Sequence, residues 1–175
     1  MMDDARFVAD VMLGRLARWL RALGYDTLYF RDARDARLLG IALREGRRLL
    51  TRDTALATRA GPAGLLVRAE ALDEQLRQVA EACGLAGRAP LSRCLECNGV
   101  LAARTPAEVR DRVPPYTLAT QPAFRECSGC GRVFWAGTHT QGILSRLAPF
   151  VDPAPGRPGL TGPATDVQST ERTDD

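Results

Sequence analysis

Four aspartates stand where short apolar runs of this sequence end. Asp10 follows the run FVA, and Asp53 follows RLLT. Asp32 and Asp35 follow TLYF. Residues just past the carboxyl ends of parallel strands meet at one edge of a sheet, where ligands bind. Four carboxylates at one edge repel one another unless cations neutralise them, and Mg²⁺ and Mn²⁺ prefer oxygen ligands. Such a site suits phosphodiester hydrolysis, because the metal activates water and offsets charge on the leaving oxygen.

Each of these aspartates also has a purely structural interpretation. Asp35 and Asp53 can cap the helices that follow them, with Asp35 at the N-cap position, and Asp32 can be an acid of an exposed loop. Asp10 is harder to explain in this way, because it separates a strand from a helix at a position expected to be partly buried. An unpaired carboxylate is costly there. Taken together, the four residues favour a metal site.

Two Cys-x-x-Cys pairs, CLEC and CSGC, form the second chemical group. Two such pairs on turns predict a tetrahedral Zn²⁺ site held by Cys94, Cys97, Cys127 and Cys130. Two disulfides do not fit a chain without an export signal, and a redox pair does not require a second pair. Four thiolates leave no position for water, so we expect this zinc to organise the fold. His139, after the second pair, can replace a ligand or contact phosphate, but packing or a surface role is the simpler expectation.

Three arginines are spaced by three along the first predicted helix, which begins beside Asp10. They are Arg15, Arg18 and Arg21. Guanidinium groups bind phosphates through planar, bidentate donors, so this stripe can hold a nucleic-acid backbone against the acidic site. An ordinary solvated helix face has the same spacing, and both interpretations stay open at this point.

The elements that must position these residues follow from the apolar pattern of the first 85 residues. Apolar residues at helical spacing predict long helices, and short apolar runs between them predict strands. The predicted strands cover 6–10, 26–30, 47–51 and 64–68, and the predicted helices cover 11–24, 35–46, a short stretch near TALATRA, and 72–83. This alternation favours a parallel sheet with helices on both faces.

The composition of the chain changes twice along its length. The helical pattern ends near residue 90, and four of the five cysteines follow. The last stretch is rich in Pro, Gly, Ser, Thr and acids, and it is too poor in apolar groups to offset the entropy of ordering. The sequence therefore predicts an α/β domain over 1–90, a small zinc-binding module over 91–150 and a disordered tail over 151–175.

Charge and hydropathy restrict the classes of function. All 24 basic residues are Arg, and the formal net charge is +3. The tail is acidic, so the first 150 residues carry about +6, which suggests an anionic partner. No window approaches the roughly 18 uninterrupted apolar residues of a membrane helix. The acidic start MMDDARFV does not read as a secretory signal, so we expect a soluble, cytoplasmic protein.

The stretch from FVADVML to LLTRDTAL, followed by CLEC, CSGC and VFWAGTH, resembles the Mut-seven C-terminal RNase family. That family has a PIN-like nuclease domain with a C-terminal zinc ribbon. The resemblance implies a PIN-like three-layer α/β sandwich with a mainly parallel central sheet, and metal-dependent ribonuclease activity. It places the acidic site at Asp10, Asp32, Asp35 and Asp53.

The motifs and the resemblance together predict a Mg²⁺- or Mn²⁺-dependent endoribonuclease with a structural Zn²⁺ and an RNA substrate, single-stranded or structured. The main alternative is a non-catalytic RNA-binding or scaffold protein, in which the acids only cap helices. A phosphatase of small substrates is a third possibility. The joint presence of the four acids favours the enzyme.

Overall fold

The computed structural model describes residues 5–85 and 88–151. The side chain of His139 and the predicted tail from residue 152 onward lie outside the described residues. The strands are β1 (Phe7–Ala9), β2 (Thr27–Tyr29), β3 (Arg48–Thr51), β4 (Gly64–Leu66), β5 (Leu101–Arg104), β6 (Phe124–Cys127) and β7 (Val133–Trp135). The helices are α1 (Gly14–Ala22), α2 (Asp35–Glu45), α3 (Thr54–Ala60), α4 (Leu72–Cys83), α5 (Pro106–Val109), α6 (Pro115–Thr120) and α7 (Thr138–Leu147). None of the described helices is long and apolar enough to cross a membrane.

The first four strands form one parallel sheet in the order β2-β1-β3-β4. Phe7 is in register with Thr27 on one side and with Arg48 on the other, and Leu50 is in register with Leu65. The predicted parallel sheet is therefore confirmed. Because the strands run in the same direction, the segments that follow them all begin at one edge, called here the carboxyl edge.

Helices cover both faces of this sheet, which gives the predicted three layers. Phe7 and Ala9 pack into a core shared with α1, α4 and Leu147 of α7. Val8, which lies between them on the strand, packs into a second core shared with α2 and α3. All three strand residues are fully buried. Burial on both faces explains why the strands of parallel sheets are continuous apolar runs.

The starts of two helices differ from the expectation. Asp10 caps a short 3-10 turn, Val11–Leu13, and α1 begins only after it. The N-cap of α2 is Arg34, so the prediction that Asp35 takes this position is wrong, and Asp35 is the first residue of the helix. A carboxylate in the first turn still interacts favourably with the helix dipole.

The second sheet is antiparallel, in the order β5-β6-β7, and it has a small core of its own formed by Val109, Val113 and Phe124. The chain then returns to the first sheet through α7, a helix that the sequence pattern did not predict. Arg146 of α7 donates a 2.8 Å hydrogen bond from Nε to Asp73 of α4. The predicted module over 91–150 therefore contains both a ribbon and a helix that packs against the α/β unit.

Candidate carboxylate site and zinc centre

Asp10 lies at the carboxyl edge directly after the central strand β1. It is only 7% exposed, as expected for an acid between a strand and a helix. One carboxylate oxygen accepts a hydrogen bond from the N–H of Val11, and the other accepts one of 2.8 Å from the hydroxyl of Thr51. Thr51 is the last residue of the neighbouring strand β3. The carboxylate is therefore held in one orientation from two elements.

Thr51 also connects Asp10 to Asp53. Its Oγ1 accepts a 3.0 Å hydrogen bond from the backbone N–H of Asp53, and its side chain is fully buried. Asp53 in turn accepts a 2.8 Å hydrogen bond from the N–H of Leu56 and caps α3. One buried hydroxyl group thus lies between the carboxylate of Asp10 and the backbone N–H of Asp53. Thr51 is not among the residues predicted above, although its place two residues before Asp53, at a strand end, is a signal visible in the sequence.

Asp32 and Asp35 lie further out on the same edge. Both are exposed, and Asp32 is in the turn after β2. The Oδ2 atom of Asp35 is 3.6 Å from a guanidinium nitrogen of Arg59, which lies on α3. Within residues 5–85 and 88–151, no group of three or more carboxylates has its oxygen atoms close enough to hold one ion. The hydrogen-bonded link at this edge is the one that Thr51 makes between the Asp10 carboxylate and the backbone N–H of Asp53.

The donor set of Asp10 and Asp53 fits a divalent cation of the magnesium type. Each carboxylate oxygen has two lone pairs, and the hydrogen bonds to Asp10 use one on each oxygen. The Oδ2 atom of Asp53 has no hydrogen-bond partner in the described part of the chain. Mg²⁺ is typically bound by one or two carboxylates together with waters and substrate phosphates. Two carboxylates with free lone pairs meet that requirement.

The four predicted zinc ligands come together at one point. The Sγ atoms of Cys94, Cys97, Cys127 and Cys130 all lie within 4.8 Å of one another. The Cys94–Cys130 distance is 3.8 Å and the Cys97–Cys127 distance is 3.3 Å. A tetrahedral ion with Zn–S bonds of about 2.3 Å places its sulfurs about 3.8 Å apart. The geometry fits a closed zinc site.

The two cysteine turns, called here the zinc knuckles, have matching backbone hydrogen bonds. The N–H of Cys94 donates to the carbonyl of Gly99, and the N–H of Cys127 donates to that of Arg132, five residues on in both cases. Gly99 also lies against the other knuckle, because a Cβ atom there would come within 2.7 Å of the Cys127 sulfur. A glycine at this position therefore permits the close approach of the two turns.

The surroundings of the thiols shift their pKa values in opposite directions. Burial raises the pKa of Cys97 to about 12. Burial also acts to raise the pKa of Cys127, but hydrogen bonds from the backbone N–H groups of Cys130 and Gly129 lower it to about 7. Four thiolates in contact repel one another, and a divalent cation is what holds all four deprotonated.

Arg21 attaches the first knuckle to the α/β unit. Its guanidinium donates 3.0 and 2.8 Å hydrogen bonds to the carbonyls of Leu95 and Glu96, the two residues between the knuckle cysteines. It also donates a 2.9 Å hydrogen bond to the carbonyl of Thr27. Arg21 is only 5% exposed. The prediction that it binds substrate is therefore corrected, because its donors face the protein interior.

Asn98, directly after the first knuckle, forms a second attachment. Its side-chain oxygen accepts a hydrogen bond from Thr27 N–H, and its side-chain nitrogen donates a 2.7 Å hydrogen bond to Asp26. Asp26 also accepts hydrogen bonds from both terminal nitrogens of Arg47. Although burial acts to raise it, these hydrogen bonds lower the pKa of Asp26, so the carboxylate stays charged. The knuckle thus contacts the amino end of β2, opposite to the carboxyl edge.

The other two arginines of the predicted stripe are exposed. Arg18 lies 3.3 Å from Glu96 of the first knuckle, and both side chains are largely in solvent. Arg15 is exposed in the first turn of α1, five residues after Asp10 in the sequence. The stripe therefore runs from the carboxyl edge to the knuckle, and Arg15 at its start is the member closest to the acids in sequence.

Replacing Arg21 by Met is expected to lower the free energy of unfolding by about 3 kcal/mol, because the buried carbonyl of Thr27 and the partly buried carbonyls of the knuckle lose this donor. Each unsatisfied buried polar group costs about 1–3 kcal/mol. Arg18→Met is the matched control, since an exposed ion pair contributes less than about 1 kcal/mol. Chemical denaturation of both variants measures the difference. Equal losses in the two variants would contradict the attachment by Arg21.

The chain matches the model of one known protein family. The family model described as Mut7-C RNAse domain matches residues 5–147. The matched range contains all four candidate aspartates and the four clustered cysteines, and it ends at Leu147, the last residue of α7. Searches of the curated proteins and of the solved structures found no match.

Proposed function

Because this chain belongs to the Mut7-C RNAse domain family, we propose that it is a Mg²⁺- or Mn²⁺-dependent endoribonuclease. It hydrolyses RNA phosphodiester bonds at the carboxyl edge of the parallel sheet, and it acts in the cytoplasm on single-stranded or structured RNA. The observation that carries the proposal is the hydrogen-bonded series Asp10–Thr51–Asp53 at that edge. Two aspartates that served only as helix caps would not need the Thr51 hydroxyl to connect them.

Each residue of the site has a defined task in this proposal. Asp10 and Asp53 would hold the cation, and Thr51 orients the carboxylate of Asp10. When bound, the cation supplies a water of lowered pKa and stabilises charge on the leaving oxygen. Asp32 and Asp35 add negative charge at the rim, where they attract further cations. Arg15, exposed beside Asp10, binds a phosphate of the RNA.

The structural zinc belongs to the same proposal but has a different task. The four thiolates would fill the coordination sphere, so no water remains on that ion for catalysis. The zinc centre holds the first knuckle against α1 and β2 through Arg21 and Asn98. The knuckle therefore supports the helix that begins beside Asp10.

Cleavage of RNA with and without added Mg²⁺ or Mn²⁺ tests this function. The zinc-loaded protein is incubated with a linear RNA, with a circular RNA of the same sequence, and with the corresponding DNA. We expect cleavage of both RNAs only when the ion is added. Cleavage of the linear RNA alone would contradict the endonucleolytic mode, and no cleavage under any of these conditions would favour the non-catalytic RNA-binding alternative.

Asp53→Asn is expected to leave stability almost unchanged and to reduce cleavage by about 10²-fold. Asn caps a helix about as well as Asp, so the hydrogen bond to Leu56 persists. The lost charge removes part of the cation's electrostatic binding, and about 2.7 kcal/mol of lost transition-state stabilisation corresponds to that factor. Thermal unfolding and initial cleavage rates give the two readouts. Asp111→Asn, an exposed acid of the ribbon, is the control, and equal rates in the two variants would exclude Asp53 from the site.

A further inference from the structure

Three of the four candidate acids are each preceded by an arginine. Arg31 precedes Asp32, Arg34 precedes Asp35, and Arg52 precedes Asp53. In the described part of the chain, none of these arginines forms an ion pair with the aspartate that follows it. The acids and the arginines at this edge are therefore available to different partners.

The order of the strands in the sheet places these arginines on both sides of Asp10. Arg31 and Arg34 follow β2, and Arg52 follows β3, the two neighbours of the central strand β1. Arg68 follows β4, two residues beyond its end. Neighbouring strands are about 4.8 Å apart, so the four strand ends span about 14 Å. A row of arginines thus crosses the carboxyl edge perpendicular to the strands, with Asp10 inside the row.

The guanidinium donors of this row make little contact with the part of the chain that the structure describes. Arg31, Arg34 and Arg68 are exposed, and their guanidinium groups have no hydrogen bond or ion pair with any residue that the structure describes. Arg52 lies 3.7 Å from Glu70, but that glutamate is 88% exposed. A contact this open is screened by solvent and easily exchanged. Arg21 and Arg47, by contrast, are buried and bonded.

We propose that Arg31, Arg34, Arg52 and Arg68 bind successive phosphates of one RNA strand, which lies across the carboxyl edge with the scissile phosphate over Asp10. This inference rests on the proposed function, and it names the substrate-binding residues of that site. Guanidinium groups form bidentate hydrogen bonds with phosphate oxygens. A row that spans the edge requires several linked phosphates, so the fitting ligand is a polynucleotide rather than a mononucleotide.

The test is equilibrium binding of a 20-nucleotide single-stranded RNA to the full-length, zinc-loaded protein without added Mg²⁺ or Mn²⁺. The edge variant combines Arg31→Gln, Arg34→Gln and Arg68→Gln, and binding is measured over a series of salt concentrations. Each phosphate contact on a single strand contributes about 0.7 to the slope of log K against log salt. We expect the negative slope to become shallower by about 2 and the affinity at 0.15 M salt to fall by about 50-fold.

The control variant removes the same charge elsewhere, by Arg77→Gln, Arg110→Gln and Arg132→Gln, three exposed residues of α4 and the ribbon. We expect it to retain most of the wild-type slope. Equal losses in the two variants, an edge variant that binds like the wild type, or a mononucleotide that binds as tightly as the oligomer would each overturn the inference. If the wild type binds RNA but never cleaves it, and the edge variant binds RNA weakly, the inference is supported and the nuclease function is rejected.

Discussion

The Asp10→Asn variant is expected to fold like the wild type and to lose RNA cleavage by at least about 10³-fold. Metal-assisted catalysis contributes several kcal/mol to the transition state, and each 1.36 kcal/mol corresponds to a factor of ten. Asp10 is the most buried of the four acids, and its carboxylate accepts hydrogen bonds from both the 3-10 turn and β3. Its charge is therefore the one that the proposed cation depends on most.

The fold of this variant should survive because most of the hydrogen bonds are kept. The amide oxygen of Asn still accepts from Val11 N–H, and the amide nitrogen donates to Thr51 Oγ1, which also accepts from Asp53. Only the Thr51 hydroxyl proton loses its acceptor, which costs about 1 kcal/mol. An effect on cleavage far larger than the effect on stability is the signature of a catalytic charge.

Calorimetric Mn²⁺ titration and initial cleavage rates check this expectation in parallel. Asp111→Asn is again the control, because it removes one acid from the ribbon surface. Unchanged Mn²⁺ binding in Asp10→Asn would exclude the site as proposed. A loss of activity that is matched by a comparable loss of stability would instead assign Asp10 a structural role.

Replacing Cys94 by Ser is expected to remove the zinc and unfold the ribbon. Structural zinc contributes about 10–16 kcal/mol to the folding of zinc-finger peptides. The small core around Phe124 cannot supply a stabilising free energy of that size. Cys94 is fully buried, so the weaker ligand cannot be compensated by solvent. The α/β unit should stay folded because its two cores lie outside the knuckles.

The α/β unit of this variant should nevertheless unfold at a lower temperature than in the wild type. Arg21 and Asn98 join the first knuckle to α1 and β2, so loss of the knuckle removes two of the acceptors of Arg21 and the acceptor of the Thr27 N–H. Elemental analysis measures zinc, and thermal unfolding followed by circular dichroism measures the two transitions. Cys83→Ser is the matched control, since Cys83 is buried in α4 and lies outside the cluster. A Cys94→Ser protein with one zinc per chain would contradict the prediction.

Much of the fold follows from the sequence because local periodicity reports burial. The apolar positions at helical spacing in the first helix are all buried, as the spacing predicts: Leu13, Leu16, Ala17, Leu20 and Leu23. The predicted helix over Leu72–Cys83 has the same bounds as α4. Strand ends followed by acids likewise predict which edge of the sheet carries the site, because parallel strands share a direction. The zinc ligands can be identified from the sequence in the same way, because two cysteines separated by two residues can bind one ion from a single turn.

The tertiary structure alone decides which of these residues act on one another. Arg15, Arg18 and Arg21 have equal spacing, yet only Arg21 is buried, because the end of α1 meets a knuckle that lies 74 residues further along the chain. Asp10 and Thr51 are 41 residues apart and become partners because β1 and β3 are neighbours in the sheet. A local pattern describes how each element buries its own apolar face. It contains no information on which distant element covers that face, and the hydrogen bonds of polar side chains are determined by that choice.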